Sequence, residues 1–191
     1  MRPLRAYGGD CTISGRLDAP EEKRLTDLLN ESALLVVSDV TLRSLEDGHG
    51  VTVPVLELEM SDVYAVEATG GRGTQQQRLG TRSARIALGV GPYRVVGWVH
   101  APKSADPLAA FTRGRTMVPL TDAQIVFFGA GSEVVRDVEV LIVNRDHIGS
   151  LATAEGDVEL PRELGMVPVD PRAKDLTGAV YVEPPSDDDL K

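Results

Sequence analysis

Cysteine occurs once in this 191-residue chain, at Cys11, so no internal disulfide framework is available and a reducing compartment is the expected setting. Long apolar runs are missing as well. No stretch approaches the roughly 18 consecutive apolar residues that a membrane-spanning helix needs, and the start, Met1 to Tyr7, runs into Gly8-Gly9-Asp10 without the apolar core of a signal peptide. A cytoplasmic protein is the expectation. Reactive motifs are equally scarce. The three histidines, His49, His100 and His147, form no HxxxH or HxxEH pair, and there is no CxxC, so no metal site is predicted. Gly70-Gly71-Arg72-Gly73 and Gly129-Ala130-Gly131-Ser132 lack the lysine of a phosphate-binding loop; Gly89-Val90-Gly91 lacks the third glycine of a dinucleotide fingerprint; and no GxSxG elbow occurs. These absences predict no cofactor and no enzymatic activity.

A basic excess is also absent. The net charge is −9. Residues 1–85 hold 13 acidic and 10 basic side chains, residues 86–151 hold 6 of each, and residues 152–191 hold 10 acidic and 4 basic. The acidity therefore belongs mainly to the C-terminal stretch. Neither of the other two segments carries the basic face that phosphate neutralisation favours, which counts against nucleic acid as a partner.

What the chain does have is self-similarity. Gly15-Arg16-Leu17-Asp18-Ala19-Pro20 returns as Gly97-Trp98-Val99-His100-Ala101-Pro102, an offset of 82. Leu25 and Leu28 match Leu108 and Phe111, and Val37-Ser38-Asp39-Val40 matches Leu120-Thr121-Asp122-Ala123, at an offset of 83. Leu56, Leu58 and Asp62 match Val140, Ile142 and Asp146 at an offset of 84. A repeated unit organises the fold. Small units of this size bury more apolar surface by packing together, so an intimate pair is expected.

Each unit reads as mainly β. Cys11–Leu17 and Tyr93–Val99 alternate loosely and stop near a proline, and Ala33–Val37, Val40–Leu45, Thr116–Leu120 and Ala123–Phe128 are short β-branched or apolar runs. Val51 to Met60 alternates cleanly, with Leu56, Leu58 and Met60 on one face and Glu57 and Glu59 on the other. Its counterpart, Val138 to Val143, is apolar on both faces near its end, which predicts deeper cover. Val63–Val66 and Ile148–Leu151 close the units. A short helix is predicted twice, between Glu21 and Asn30 and after the Asp106-Pro107 cap. The expected organisation is a first small β-barrel at 1–68, a Gly/Gln/Arg linker at 69–85, a second barrel at 86–152, and a disordered, acidic, proline-containing tail at 153–191.

The glycine-kinked strands, the long second strand and the Asn144-Arg145-Asp146 step before the last strand resemble the small barrels of the Sm and SH3 class. The inserted helix departs from the usual Sm pattern, as does Met60-Ser61-Asp62 standing where the second unit has Asn144-Arg145-Asp146. The Leu120-Thr121-Asp122 stretch and the closing Val143-Asn144-Arg145-Asp146-His147-Ile148 also look like a bacterial tandem-repeat family of uncharacterised proteins, a kinship that implies no activity.

Asp39/Asp122 and Asp62/Asp146 are the polar residues that the repeat keeps. Paired carboxylates are able to bind a cation or exchange protons, but an Asp at a strand bend is read more simply as accepting backbone N–H bonds. Arg72, Arg78, Arg82 and Arg85 form an acid-free basic segment that, with Arg145, is the candidate anion or nucleic-acid contact. A duplicated core without a duplicated reactive group points first to a protein-interaction module, with a protein partner or a second copy of the chain. The alternatives are an Sm-like nucleic-acid binder using the arginine segment and a ligand-binding or enzymatic site between the repeats.

Overall fold

A computed structural model describes residues 1–20, 23–68 and 81–154. The first half contains β1 (Arg2–Tyr7), β2 (Cys11–Leu17), helix α1 (Leu25–Glu31), β3 (Leu34–Ser44), β4 (Gly50–Glu59), a 3-10 turn at Met60–Asp62 and β5 (Ala65–Glu67). The second repeats that order with β6 (Thr81–Val90), β7 (Tyr93–Pro102), helix α2 (Pro107–Arg113), β8 (Met117–Gly129), β9 (Ser132–Asn144), a 3-10 turn at Arg145–His147 and β10 (Ile148–Thr153). Local chemistry explains the boundaries. Asp106 caps α2 by accepting from Ala109 N at 2.8 Å, with Pro107 at the first helical position.

All ten strands join one antiparallel sheet in the order β10-β6-β7-β8-β9-β5-β1-β2-β3-β4. Within each half the fifth strand pairs the first, followed by the second, third and fourth. The expected pair of closed barrels is therefore replaced by one open sheet. The physical reason lies at β5, whose free edge pairs with β9 of the other half and so is not left to close onto β4. The last five residues of the expected 69–85 linker are strand instead: β6 begins at Thr81 and pairs with β7 from Thr81↔Pro102 onward, so Arg82 and Arg85 lie in it, while residues 69–80 lie outside the described residues. The expected acidic tail lies outside the described residues from 155 on.

The strand bends explain the repeated Gly and Asp. Asp39 and Asp122 have φ of 51° and 47°, and the β2–β3 and β7–β8 registers shift beside them, between Ser14/Arg16 and Val96/Trp98. These bulges curl β3 and β8. At the bend the chains pass so closely that a Cβ on Gly15 would sit 2.6 Å from Val37 Cγ1 and 2.9 Å from Ser38 O, which is why glycine is required there.

Two cores result. The first gathers Leu4, Ile13, Leu17, Leu29, Val37 and Leu58, and reaches across to Met117 and Ile142. The second gathers Ile86, Leu88, Val95, Phe111, Leu120 and Ile125, and takes Tyr7 and Ala65 from the first half. Leu141, Ile142 and Val143 are all 0% exposed, because β9 carries one core on each face. This is the deeper cover that the two-sided apolar pattern predicts.

Candidate interaction edges and the seam between the halves

The seam is built from β5 and β9. Ala65, Val66 and Glu67 pair with Val143, Ile142 and Leu141. Ala68 N donates to Val140 O at 2.9 Å and Asn144 N donates to Tyr64 O at 2.8 Å, extending the ladder at both ends. Glu67 is the polar centre of this junction. It accepts from Tyr7 Oη at 2.5 Å and from Arg136 Nε at 3.0 Å, with Arg5 Nε 3.9 Å away. Burial, reinforced by the Glu67 carboxylate, pushes the Tyr7 phenol well above its ordinary range, and the same carboxylate holds the Arg136 guanidinium more firmly protonated.

Asparagines finish the seam. Asn144, 2% exposed, donates from Nδ2 to Met60 O at 3.1 Å and Val63 O at 2.8 Å, while its Oδ1 accepts from Asp146 N at 3.0 Å. Asn30 on α1 grips the main chain of Met117 in the other half. His147 stacks on Tyr64 at 3.9 Å and donates from Nε2 to Ser61 O at 2.6 Å. Tyr93 Oη donates to Gly8 O at 2.6 Å, and its ring meets Tyr7 edge-on at 5.3 Å. A cleft of about 270 Å³ lies along the seam, beside Asn30, Met60, Met117 and Asn144, whose polar groups are already committed to main chain.

Of the residues singled out in the sequence, Asp146 borders the seam cleft. Asp39 and Asp122 occupy the two bulges, and exposed Asp39 faces Arg16 at 3.8 Å. The ladder sets a different match for the second aspartate pair. Val40↔Val53 in one half corresponds to Ala123↔Val138 in the other, which makes the offset 85 from β4 onward. Asp146 therefore stands level with Ser61, and Asp62 with His147, so these two carboxylates are not equivalent. Arg145 caps α2: its Nη1 donates to Thr112 O and to Gly114 O, both at 2.7 Å. Arg82 is exposed on β6 and Arg85 half-buried on the same strand, whereas Arg72 and Arg78 lie outside the described residues. Tyr7, Asn30, Glu67 and Arg136, which hold the seam, carry no repeat or motif signal.

His49 is exposed in the β3–β4 loop and His100 is exposed on β7, bonding Thr121 Oγ1 at 2.8 Å. Burial and the neighbouring Asp10 push the Cys11 thiol up to about 11, which keeps it protonated at neutral pH. Among the described residues, no group of three or more His, Cys, Asp or Glu side chains could hold a metal ion, and no helix is long and apolar enough to cross a membrane.

The two ends of the sheet are different in kind. Among the described residues, β4 and β10 each have a single strand neighbour. Beside the β4 edge, Leu34, Val36, Val51 and Val55 are 44%, 54%, 47% and 55% exposed. Comparison with protein-family models, curated proteins and solved structures finds no match to this chain.

Proposed function

We propose that this chain is a non-enzymatic assembly module that binds protein by strand addition at the β4 edge. The observation that carries the reading is the coincidence of an open edge with the exposed Leu34, Val36, Val51 and Val55. An unpaired edge offers main-chain hydrogen bonds to an incoming strand, and adjacent apolar side chains supply burial energy. Charged and proline residues limit indiscriminate pairing at such edges, and β4 carries Glu57, Glu59 and Pro54. The kinship of each half to small Sm or SH3 barrels belongs to the same proposal, supported by the fifth-first-second-third-fourth strand order.

Glu57→Pro tests it, because the N–H that this change removes is on the open side of β4. The full chain and the variant are used as baits, and hydrogen exchange of β4 is followed with the captured partner. Partner binding should protect the Val55, Glu57 and Glu59 amides and should be lost in the variant. Capture that survives Glu57→Pro with no β4 protection overturns the proposal.

A further inference from the structure

We infer that the β4 edge takes the β10 edge of a second copy of this chain, joined head to tail in the register that β9 and β5 use within the molecule. The inference rests on β4 being a binding edge. It starts from a correspondence in the sheet: β4 is the first-half counterpart of β9, and β10 the second-half counterpart of β5. Inside the chain β9 meets β5. The two edges left over are the same pair once more.

Transposing the seam by its own ladder gives the register. Val66↔Ile142 becomes Leu151↔Glu57, Ala65↔Val143 becomes Ser150↔Leu58, and Glu67↔Leu141 becomes Ala152↔Leu56. The flanking bonds become Thr153 N to Val55 O and Glu59 N to Gly149 O. Main-chain groups of β4 alternate between its two sides, so Val55, Glu57 and Glu59 point outward like Val140, Ile142 and Asn144. Pro54 stands level with the Asp39 bulge.

Side chains on the two edges differ from the seam in a matched way. Within the chain, Met117, Ile142 and Asn144 cover Leu29, Asn30 and Met60 with neutral groups on both sides. The counterparts at the β4 edge are Leu34, Glu57 and Glu59; those at the β10 edge are Thr112, Arg113 and Arg145. Two acids thus face two bases at positions that are neutral in the seam, whose own ion pair here, Arg115–Asp27 at 2.9 Å, has Ser32 and Ala110 as its counterparts. The Arg136–Glu67 ion pair is likewise replaced on both sides at once, by Val51 and Ala152. Met117 is 2% exposed in the seam, whereas Leu34 in the same place is 44% exposed. Opposite charge at corresponding positions selects this pairing over others. Because the joined surfaces are unlike, the contact propagates into a ring or a filament and does not stop at a twofold dimer.

Light scattering on the purified full chain, across protein and salt concentration, is the test. The expected result is a mass that rises with concentration beyond a dimer and falls at high salt. Glu59→Arg and Arg113→Glu, both at exposed positions, should each weaken association roughly tenfold, and the double variant should restore it. In a Cys11→Ser background, Val55→Cys chains mixed with Thr153→Cys chains should form a mixed disulfide, since directly opposed strand positions suit that bond. A chain that stays monomeric while still capturing another protein through β4 overturns this inference and leaves the edge reading standing. Monomer without any β4-dependent capture overturns both. Association indifferent to the charge reversals and yielding no mixed disulfide overturns the proposed register.

Discussion

Asn30 of α1 acts toward Met117 as a neighbouring strand would: Nδ2 donates to Met117 O at 2.9 Å and Oδ1 accepts from Met117 N at 3.0 Å. The side chain ties together residues 87 positions apart and pins the start of β8 over the first core. Asn30→Ala strips both partners from a residue that is 2% exposed, and losing partners for buried main-chain groups costs about 2–4 kcal/mol in total. Urea denaturation should show that loss. A change below about 0.5 kcal/mol would mean that the Asn30 clamp adds nothing to the ladder and packing that join the halves.

Tyr7 and Glu67 provide a second reading of the seam. Tyr7 is 0% exposed and its hydroxyl donates to Glu67. Tyr7→Phe removes one hydrogen bond and should cost about 1–2 kcal/mol; Glu67→Ala leaves the buried hydroxyl and Arg136 without that carboxylate and should cost more, about 2–3 kcal/mol. The phenol's pKa is raised in the folded state, so this contribution is complete below the ordinary tyrosine value of 10.0 and is lost as the pH climbs above it. Denaturation midpoints measured from pH 8 to 11 should decline above pH 10 in the parent and decline less in Tyr7→Phe.

How much of this was legible follows from range. Strand β2, the Asp106-Pro107 cap and the two-sided apolar end of β9 are written in local pattern, and each stands where the pattern predicts. β1 and β6 are not so written: Pro3 and Arg5 interrupt one, and the Arg-containing start of the other reads as linker until its pairing with β7 and β10 is seen. The offset of 85 was hidden because the β8–β9 hairpin gains two residues, running on to Gly129↔Ser132, where apolar alternation continues without a visible gap. The seam was out of reach for a different reason. β5 meets β9 through contacts such as Glu67 with Arg136, 69 positions apart, and no local periodicity records them.

The bulge aspartates separate backbone need from side-chain chemistry. Asp39 at φ 51° pays the left-handed penalty that glycine avoids, and its ion pair with Arg16 is exposed and long at 3.8 Å. Asp39→Gly should be neutral or stabilising by about 0.5 kcal/mol, whereas Asp39→Ala should cost about 1 kcal/mol. Gly15→Ala, with its new Cβ against Val37 and Ser38 O, should cost about 2 kcal/mol. If Gly and Ala at position 39 are equally harmful, the carboxylate itself has a role and the structural account of the repeated Asp fails.

Cys11 is the remaining nucleophile, and its surroundings make it a poor one. Burial first, then the hydrogen bond and charge of Asp10, lift its pKa from 9.0 to about 11. At pH 8 the native thiolate fraction is then roughly a hundredth of that in the unfolded chain, so labelling by a neutral thiol reagent should be about a hundredfold slower before denaturation than after. The rate in the native protein should keep rising to about pH 11, where an ordinary thiol levels off near 9.0. Because the folded value is the higher one, stability that Cys11 contributes is intact below pH 9.0 and drains away between there and about 11. Cys11→Ala should remove that part of the alkaline decline while the part due to Tyr7 and Tyr93 persists, since burial raises both phenols as well. Rapid labelling at pH 7 would reverse the argument, placing a thiolate at the start of β2 and reopening the question of covalent chemistry beside the seam.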